Sequence, residues 1–174
     1  IRGDDFLSSE ADAYLADPRM TSFPIPFSPT NPTYQRRVLD KVRSFGVWDK
    51  GYFYVVDEPS TQAQYDSFKS KCSYLRGIDP TVNILLTYSH NPYWTSETIY
   101  DLLAGYADIW CCYTHFWNTS ALAARRSEGD TVWAYFTGDP DNLYANYFVQ
   151  YAAIMHRIAP WQCYLYNADG LLYW

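Results

Sequence analysis

Residues Gly51 to Thr61 read GYFYVVDEPST, an apolar and aromatic run that ends in two adjacent carboxylates, Asp57 and Glu58, followed by Pro59. Two acids side by side at the end of a buried strand meet desolvation and mutual repulsion, and both effects push at least one of them toward keeping its proton near neutral pH. A carboxyl held that way is a general acid. Pro59 accounts for the strand stopping there, because it has no N–H to donate and it keeps Glu58 out of the helical region. A structural reading of the same pair also exists, with Asp57 capping the next helix and Glu58 pairing with a surface arginine.

The spacing of the acids bears on the kind of chemistry. Retaining glycosidases hold two carboxyls about 5–5.5 Å apart and inverting ones about 6.5–9.5 Å apart, across one bond. Consecutive residues on one strand end point away from each other and are poorly placed for either. They fit better if one protonates the leaving oxygen while the other orients a nucleophile carried by the substrate, the substrate-assisted exception among glycosidases. The sugar would then bear a 2-acetamido group. Two alternatives stay open: Glu58 as acid with an enzyme nucleophile from another strand, best placed at Asp139 in Thr137-Gly138-Asp139-Pro140, or a non-catalytic carbohydrate-binding module.

Aromatic residues at other strand ends are the expected walls of a sugar pocket. They are Tyr88 and His90, then Tyr113, His115 and Trp117, then Trp133 and Tyr135, and last Trp174. Tyr and Trp faces suit the apolar side of a pyranose, and a Tyr hydroxyl suits an acetamido carbonyl. We expect Tyr88, His115, Trp133, Tyr135 and Trp174 to serve as substrate-binding residues, although an aromatic on a barrel strand is also a common core residue. Three histidines without spacing predict no metal site. No Gly-x-Ser-x-Gly elbow, HExxH or Cys-His constellation is present, and no cofactor is expected. Asn118-Thr119-Ser120 reads as a glycosylation sequon, a triplet common by chance.

The elements that must carry these residues are legible. The chain has 174 residues, one domain's worth, and its 13 Lys+Arg against 19 Asp+Glu give a net charge of −6 with no basic cluster, which argues against nucleic acid and anionic membranes as partners. No run approaches the roughly 20 apolar residues of a membrane span. Aromatics make up 20% of the chain, more than a core of this size needs. Cys72, Cys111, Cys112 and Cys163 show no CxxC or metal-ligand spacing and read as reduced core residues; in a strand, Cys111 and Cys112 would face opposite sides.

Strand-like runs recur about one βα unit apart: 22–27, 52–57, 82–88, 107–113, 131–137 and 171–174. Helical patterns lie between them. Asn31, Pro32 and Gly46 bound a helix over 32–45 with Val38, Val42 and Phe45 on one face. Ser60 and Gly77 bound a second with Tyr65, Phe68, Cys72 and Leu75 as its stripe. A third is predicted over 141–159, with Pro160 as a kink or end, and weaker ones over 96–104 and 119–127. Strands apolar on both faces and alternating with helices predict a parallel sheet. Without a glycine-rich phosphate loop, and with polar residues gathered at several strand ends, the pattern predicts an α/β (β/α)8 TIM-like barrel. Such a barrel takes about 250 residues, and six of eight βα units are visible. A single, partial catalytic domain over 1–174 is therefore expected, lacking its first two units, with exposed edges at 22–27 and 171–174 prone to self-association.

The run Gly46-Val47-Trp48-Asp49-Lys50-Gly51-Tyr52-Phe53-Tyr54-Val55-Val56-Asp57-Glu58-Pro59 resembles glycoside hydrolase family 123. Thr131-Val132-Trp133-Ala134-Tyr135, His156-Arg157, Trp161 and Gly170-Leu171-Leu172-Tyr173-Trp174 are similar to the closing third of that family's barrel. The resemblance extends from about residue 20 onward and is most specific at the Asp-Glu-Pro strand and the final Gly-Leu-Leu-Tyr-Trp. It implies a β-N-acetylgalactosaminidase acting on terminal sugars of a glycan or glycolipid by substrate assistance. Glu58 would be the acid and later the base, and Asp57 would bind the acetamido N–H and stabilise the oxazolinium-like intermediate. The family's barrel is larger than this chain and is normally preceded by a β-rich domain.

Overall fold

The computed structural model describes residues 3–89, 97–138 and 145–173. Six parallel strands, β1 (Phe23–Pro24), β2 (Gly51–Tyr54), β3 (Ile84–Tyr88), β4 (Ile109–Tyr113), β5 (Thr131–Phe136) and β6 (Gly170–Tyr173), form one sheet in chain order. Between and before them run α1 (Glu10–Leu15), α2 (Pro32–Ser44), α3 (Gln62–Ile78), α4 (Ile99–Leu102), α5 (Thr119–Ser127) and α6 (Ala153–Leu165). A doubly wound sheet reverses its strand order at a switch point. Here the order never reverses, which is the winding of a barrel.

The sheet is curled as a barrel requires. In a flat sheet β2 and β5, three spacings of about 4.8 Å apart, would stand roughly 14 Å from each other. The rings of Tyr52 on β2 and Trp133 on β5 nevertheless meet with centroids 5.3 Å apart. The curl brings the concave faces of non-neighbouring strands together.

Both faces of the sheet are apolar, as expected for parallel strands. On the convex side Phe53, Ile84, Leu86, Tyr88, Trp110, Cys112 and Val132 pack with the helix residues Val38, Leu39, Val42, Tyr65, Phe68, Cys72 and Leu75. On the other side Tyr52, Leu85, Ile109, Cys111, Tyr113 and Tyr135 cluster. Cys111 and Cys112 thus separate to opposite faces. All four cysteines are unpaired; Cys72, Cys111 and Cys112 are buried and Cys163 is half-buried.

Acids at the strand starts fasten the sheet from the end opposite Asp57 and Glu58. Asp108, just before β4, accepts the Ile84 N–H of β3 at 2.8 Å and pairs with Arg76 at 2.9 Å. Asp169, just before β6, accepts the Val132 N–H of β5 at 2.9 Å and pairs with Arg126 at 2.9 Å. Asp130 accepts the Trp110 indole N–H at 2.8 Å. Asp108 and Asp169 each satisfy a backbone donor at the start of a strand, and Asp130 satisfies a side-chain one.

Several predicted boundaries are corrected. The first strand, expected over 22–27, is shorter, Phe23–Pro24, with the Ile25 N–H donating to the Tyr52 carbonyl at 2.7 Å; Pro24 and Pro26 take the alternate positions, directed away from β2, where no ladder N–H is needed. The cap of α3 is Thr61 rather than Ser60, in a capping box with Gln64, and the helix runs through Gly77 to Ile78. The helix expected over 141–159 begins only at Ala153 and continues past Pro160 to Leu165. Its late start has a local cause: Asn146, fully buried, donates to the Thr137 carbonyl at 2.8 Å and accepts the Tyr147 N–H at 2.7 Å. That ties the segment to the end of β5, where Tyr147 packs on Phe136 with centroids 4.9 Å apart. Residues 119–127 form α5 as predicted.

Candidate active site

The strand carrying the acids leaves the ladder at Tyr54, earlier than the expected Asp57. The Val55 carbonyl accepts from Lys71 Nζ of α3 at 2.9 Å, and the chain bends over 56–58. Pro59 keeps Glu58 out of the right-handed helical region, and Glu58 adopts φ +36°, a left-handed conformation costing a non-glycine residue about 1–2 kcal/mol. Its N–H donates to Thr87 Oγ1 of β3 at 3.2 Å.

This turn sends the two carboxyls to different walls. Asp57 Oδ1 accepts the Tyr54 hydroxyl of β2, and Glu58 Oε1 accepts the Tyr135 hydroxyl of β5. The Tyr54 hydroxyl also lies 2.9 Å from Thr87 Oγ1. Asp57 is exposed and Glu58 half-buried, over a floor where Thr87 and Tyr135 are buried. Thr61 caps α3, so the capping reading of Asp57 is not what forms.

Burial raises the Tyr135 phenol well above its usual range, and its hydrogen bond to Glu58 and that acid's charge raise it further. Tyr54 is raised by burial, then by its hydrogen bond to Asp57, while Thr87 acts the other way. Both phenols stay protonated donors across the neutral range.

Of the expected pocket residues, Tyr135 is brought directly to Glu58. Trp133 lies beside it on the concave face, edge-on to Tyr52. His115 follows β4 in a 3-10 turn, Thr114–Phe116, exposed and stacked on Phe116 with centroids 4.9 Å apart. Tyr113, between His115 and Tyr135, lies 6.4 Å and 5.1 Å from them by ring centroids. Tyr88 is corrected: it faces the helices, 2% exposed, with its hydroxyl bonded to that of Tyr100 and its ring against Trp110. Strand parity decides this, since Thr87 occupies the concave side. Trp117 likewise turns outward, against Tyr166, lining a cavity of about 250 Å³ with Phe136 and Ala159. His156 bonds the Phe148 carbonyl at 2.8 Å. Trp174, His90 and Asp139 lie outside the described residues.

Sequence reasoning missed Tyr54 and Thr87. The available signal was that Tyr54 shares the period-2 face of Tyr52; nothing in the sequence marks the β2–β3 alignment that brings Thr87 to it. Among the described residues, no group of three or more His, Cys, Asp or Glu is arranged to hold a metal ion.

Residues 20–174 match the family described as glycoside hydrolase 123, catalytic domain. The chain belongs to the glycoside hydrolase 123 family. Asp57 and Glu58 fall within the matched residues. No curated protein matches the chain. Among solved structures it is similar to a chain described as "Putative glycerophosphoryl diester phosphodiesterase" from Silicibacter pomeroyi DSS-3, with a TM-score of 0.47 and 12% identity, over 82% of this chain and 40% of that one. The family 123 chain thus spans less than half the length of that protein. No helix among its described residues is long and apolar enough to cross a membrane.

Proposed function

We propose that this family 123 domain cleaves terminal β-linked N-acetylgalactosamine from a glycan or glycolipid by substrate-assisted, retaining catalysis. The observation that carries the reading is the divergence of the acids: Asp57 is tied to Tyr54 on its own strand, and Glu58 to Tyr135 across the curl of the sheet. Acids held to separate walls are suited to separate tasks. Glu58 protonates the glycosidic oxygen, and the 2-acetamido carbonyl oxygen attacks the anomeric carbon as that bond breaks. Asp57 accepts the acetamido N–H and balances the positive charge of the resulting oxazolinium ring. Glu58, now ionised, takes a proton from the water that reopens the ring, which leaves the sugar with its original anomeric configuration. Trp133, Tyr135 and His115 form the wall on the Glu58 side, and Trp174 remains a proposed contact.

Paired aryl β-glycosides test this, N-acetylgalactosaminide against galactoside. Cleavage confined to the acetamido sugar is expected; equal cleavage of both would point to an enzyme nucleophile. We also propose that the isolated chain self-associates through the unpaired edges of β1 and β6. Light scattering is expected to show species larger than one chain, and a monodisperse monomer would refute that part.

A further inference from the structure

The geometry points to Thr87 and Tyr54 as positioning residues that hold Asp57 and Glu58 in one hydrogen-bonded relay and so keep the two acids in a fixed mutual arrangement. This rests on the proposed roles of the two acids and adds two residues that act through them.

The direction of every bond in the relay follows from what each group can do. The Glu58 backbone N–H can only donate, and it donates to Thr87 Oγ1 at 3.2 Å. An ionised Asp57 carboxylate can only accept, and the Tyr54 hydroxyl donates to it. With its hydrogen directed at Asp57, the Tyr54 oxygen acts as acceptor toward Thr87, 2.9 Å away. The Thr87 proton therefore points to Tyr54, and its lone pair to Glu58. The chain runs from the Glu58 N–H through Thr87 and Tyr54 to Asp57, each hydroxyl donating onward, an arrangement in which successive bonds polarise and strengthen one another.

Three features make this relay a positioning device. Thr87 is 2% exposed in the middle of the sheet, and its β-branched side chain has little χ1 freedom, so its hydroxyl is a fixed point on a neighbouring strand. Glu58 sits at φ +36°, a conformation that persists only where surrounding contacts over-determine it. Its N–H bond to Thr87 comes from the side opposite Pro59, so that position is held by a restraint before it and another after it. Finally, the Tyr54 bond occupies Asp57 Oδ1 and leaves Oδ2 to meet the substrate. Thr87 is the link the two arms share: removing its hydroxyl frees the Glu58 N–H and takes away the bond donated to Tyr54, whereas removing the Tyr54 hydroxyl releases Asp57 and leaves the Glu58 bond in place.

The test compares Thr87→Val, Thr87→Ser and Tyr54→Phe with the parent chain in amide hydrogen exchange and in hydrolysis of an aryl N-acetyl-β-galactosaminide. Valine keeps the shape and removes the hydroxyl. Thr87→Val should speed exchange of the Glu58 N–H by at least about tenfold and lower kcat by about 10- to 100-fold, the range for an unsatisfied buried donor, with KM changed by less than about threefold. Thr87→Ser should restore protection and most of kcat. Tyr54→Phe should lower kcat while leaving the Glu58 N–H protected. Unchanged Glu58 exchange in Thr87→Val would overturn the relay, as would a kcat loss that serine fails to rescue. Glu58→Gln separates this from the underlying reading: full activity there removes the acid role, whereas the exchange measurement still decides the relay.

Discussion

Gly170 opens β6 opposite Trp133, and replacing it with alanine probes the curl of the sheet. A Cβ at this position would lie 2.7 Å from Trp133 Cδ2 and Cε2 and 2.8 Å from Nε1, closer than carbon atoms pack. The indole has little room to retreat, because Tyr52 stands edge-on to it at 5.3 Å. Forcing one extra carbon into such a contact costs about 1–3 kcal/mol. At about 2–4 °C per kcal/mol for a domain of this size, Gly170→Ala should melt roughly 2–12 °C below the parent. Gly77 in α3 gives the control of opposite sign. A Cβ there meets nothing within 4 Å, and at this next-to-last residue of α3 alanine should gain part of the roughly 0.5–1 kcal/mol it holds over glycine in a helix interior. Thermal unfolding followed by far- and near-ultraviolet circular dichroism reads both. A Gly170→Ala protein with the parent melting temperature and an unchanged aromatic signal would mean that Trp133 does not pack over β6, and the concave wall as described would fall with it.

Two further predictions concern pH. Burial alone would raise the Asp79 carboxyl, but the Thr81 N–H and hydroxyl and the Arg43 guanidinium outweigh it and hold the acid below its usual range. A folded value below the unfolded one gives stability that is present above about pH 4 and lost as pH falls through the folded value. In urea melts at a series of pH values, Asp79→Asn should flatten that acid limb; an identical slope would refute the assignment. At the other end, burial pushes Tyr65 up to about 12, and burial with the neighbouring Cys111 does the same for Tyr52. Unfolded tyrosine ionises near 10, so stability is intact below about pH 10 and lost as pH rises toward 12. Ultraviolet titration should show an exposed class near 10 and a late class that appears together with unfolding, whereas a single transition near 10 would contradict the burial.

What could be read from the sequence and what could not differ in physical kind. The runs that became β3, β4 and β5 were legible because nearly every residue in them is apolar, but the same property hid their parity. Nothing in Ile84–Tyr88 says which alternate residues face the helices, so Tyr88 was assigned to the pocket that Thr87 in fact approaches. Helix caps read well where one local bond decides them: Asn31 accepts the Tyr34 N–H as expected, while the cap of α3 falls one residue late, at Thr61 instead of Ser60. The helix predicted over 141–159 failed because Asn146 makes tertiary bonds that periodicity cannot anticipate. Asp57 and Glu58 stood out as adjacent charges after an apolar run. Their partners Tyr54, Thr87 and Tyr135 come from three strands, and only the alignment and curl of the sheet assemble them.

The acid role proposed for Glu58 makes turnover depend on the leaving group. An activated phenol departs with little help from a proton, while an alkyl or sugar alcohol needs one. Turnover by Glu58→Gln should be measured on an activated aryl N-acetyl-β-galactosaminide and on a disaccharide bearing the same terminal sugar. Near-complete loss is expected on the disaccharide, with substantial activity kept on the aryl glycoside. Equal loss on both, or full activity on the disaccharide, would contradict the acid role.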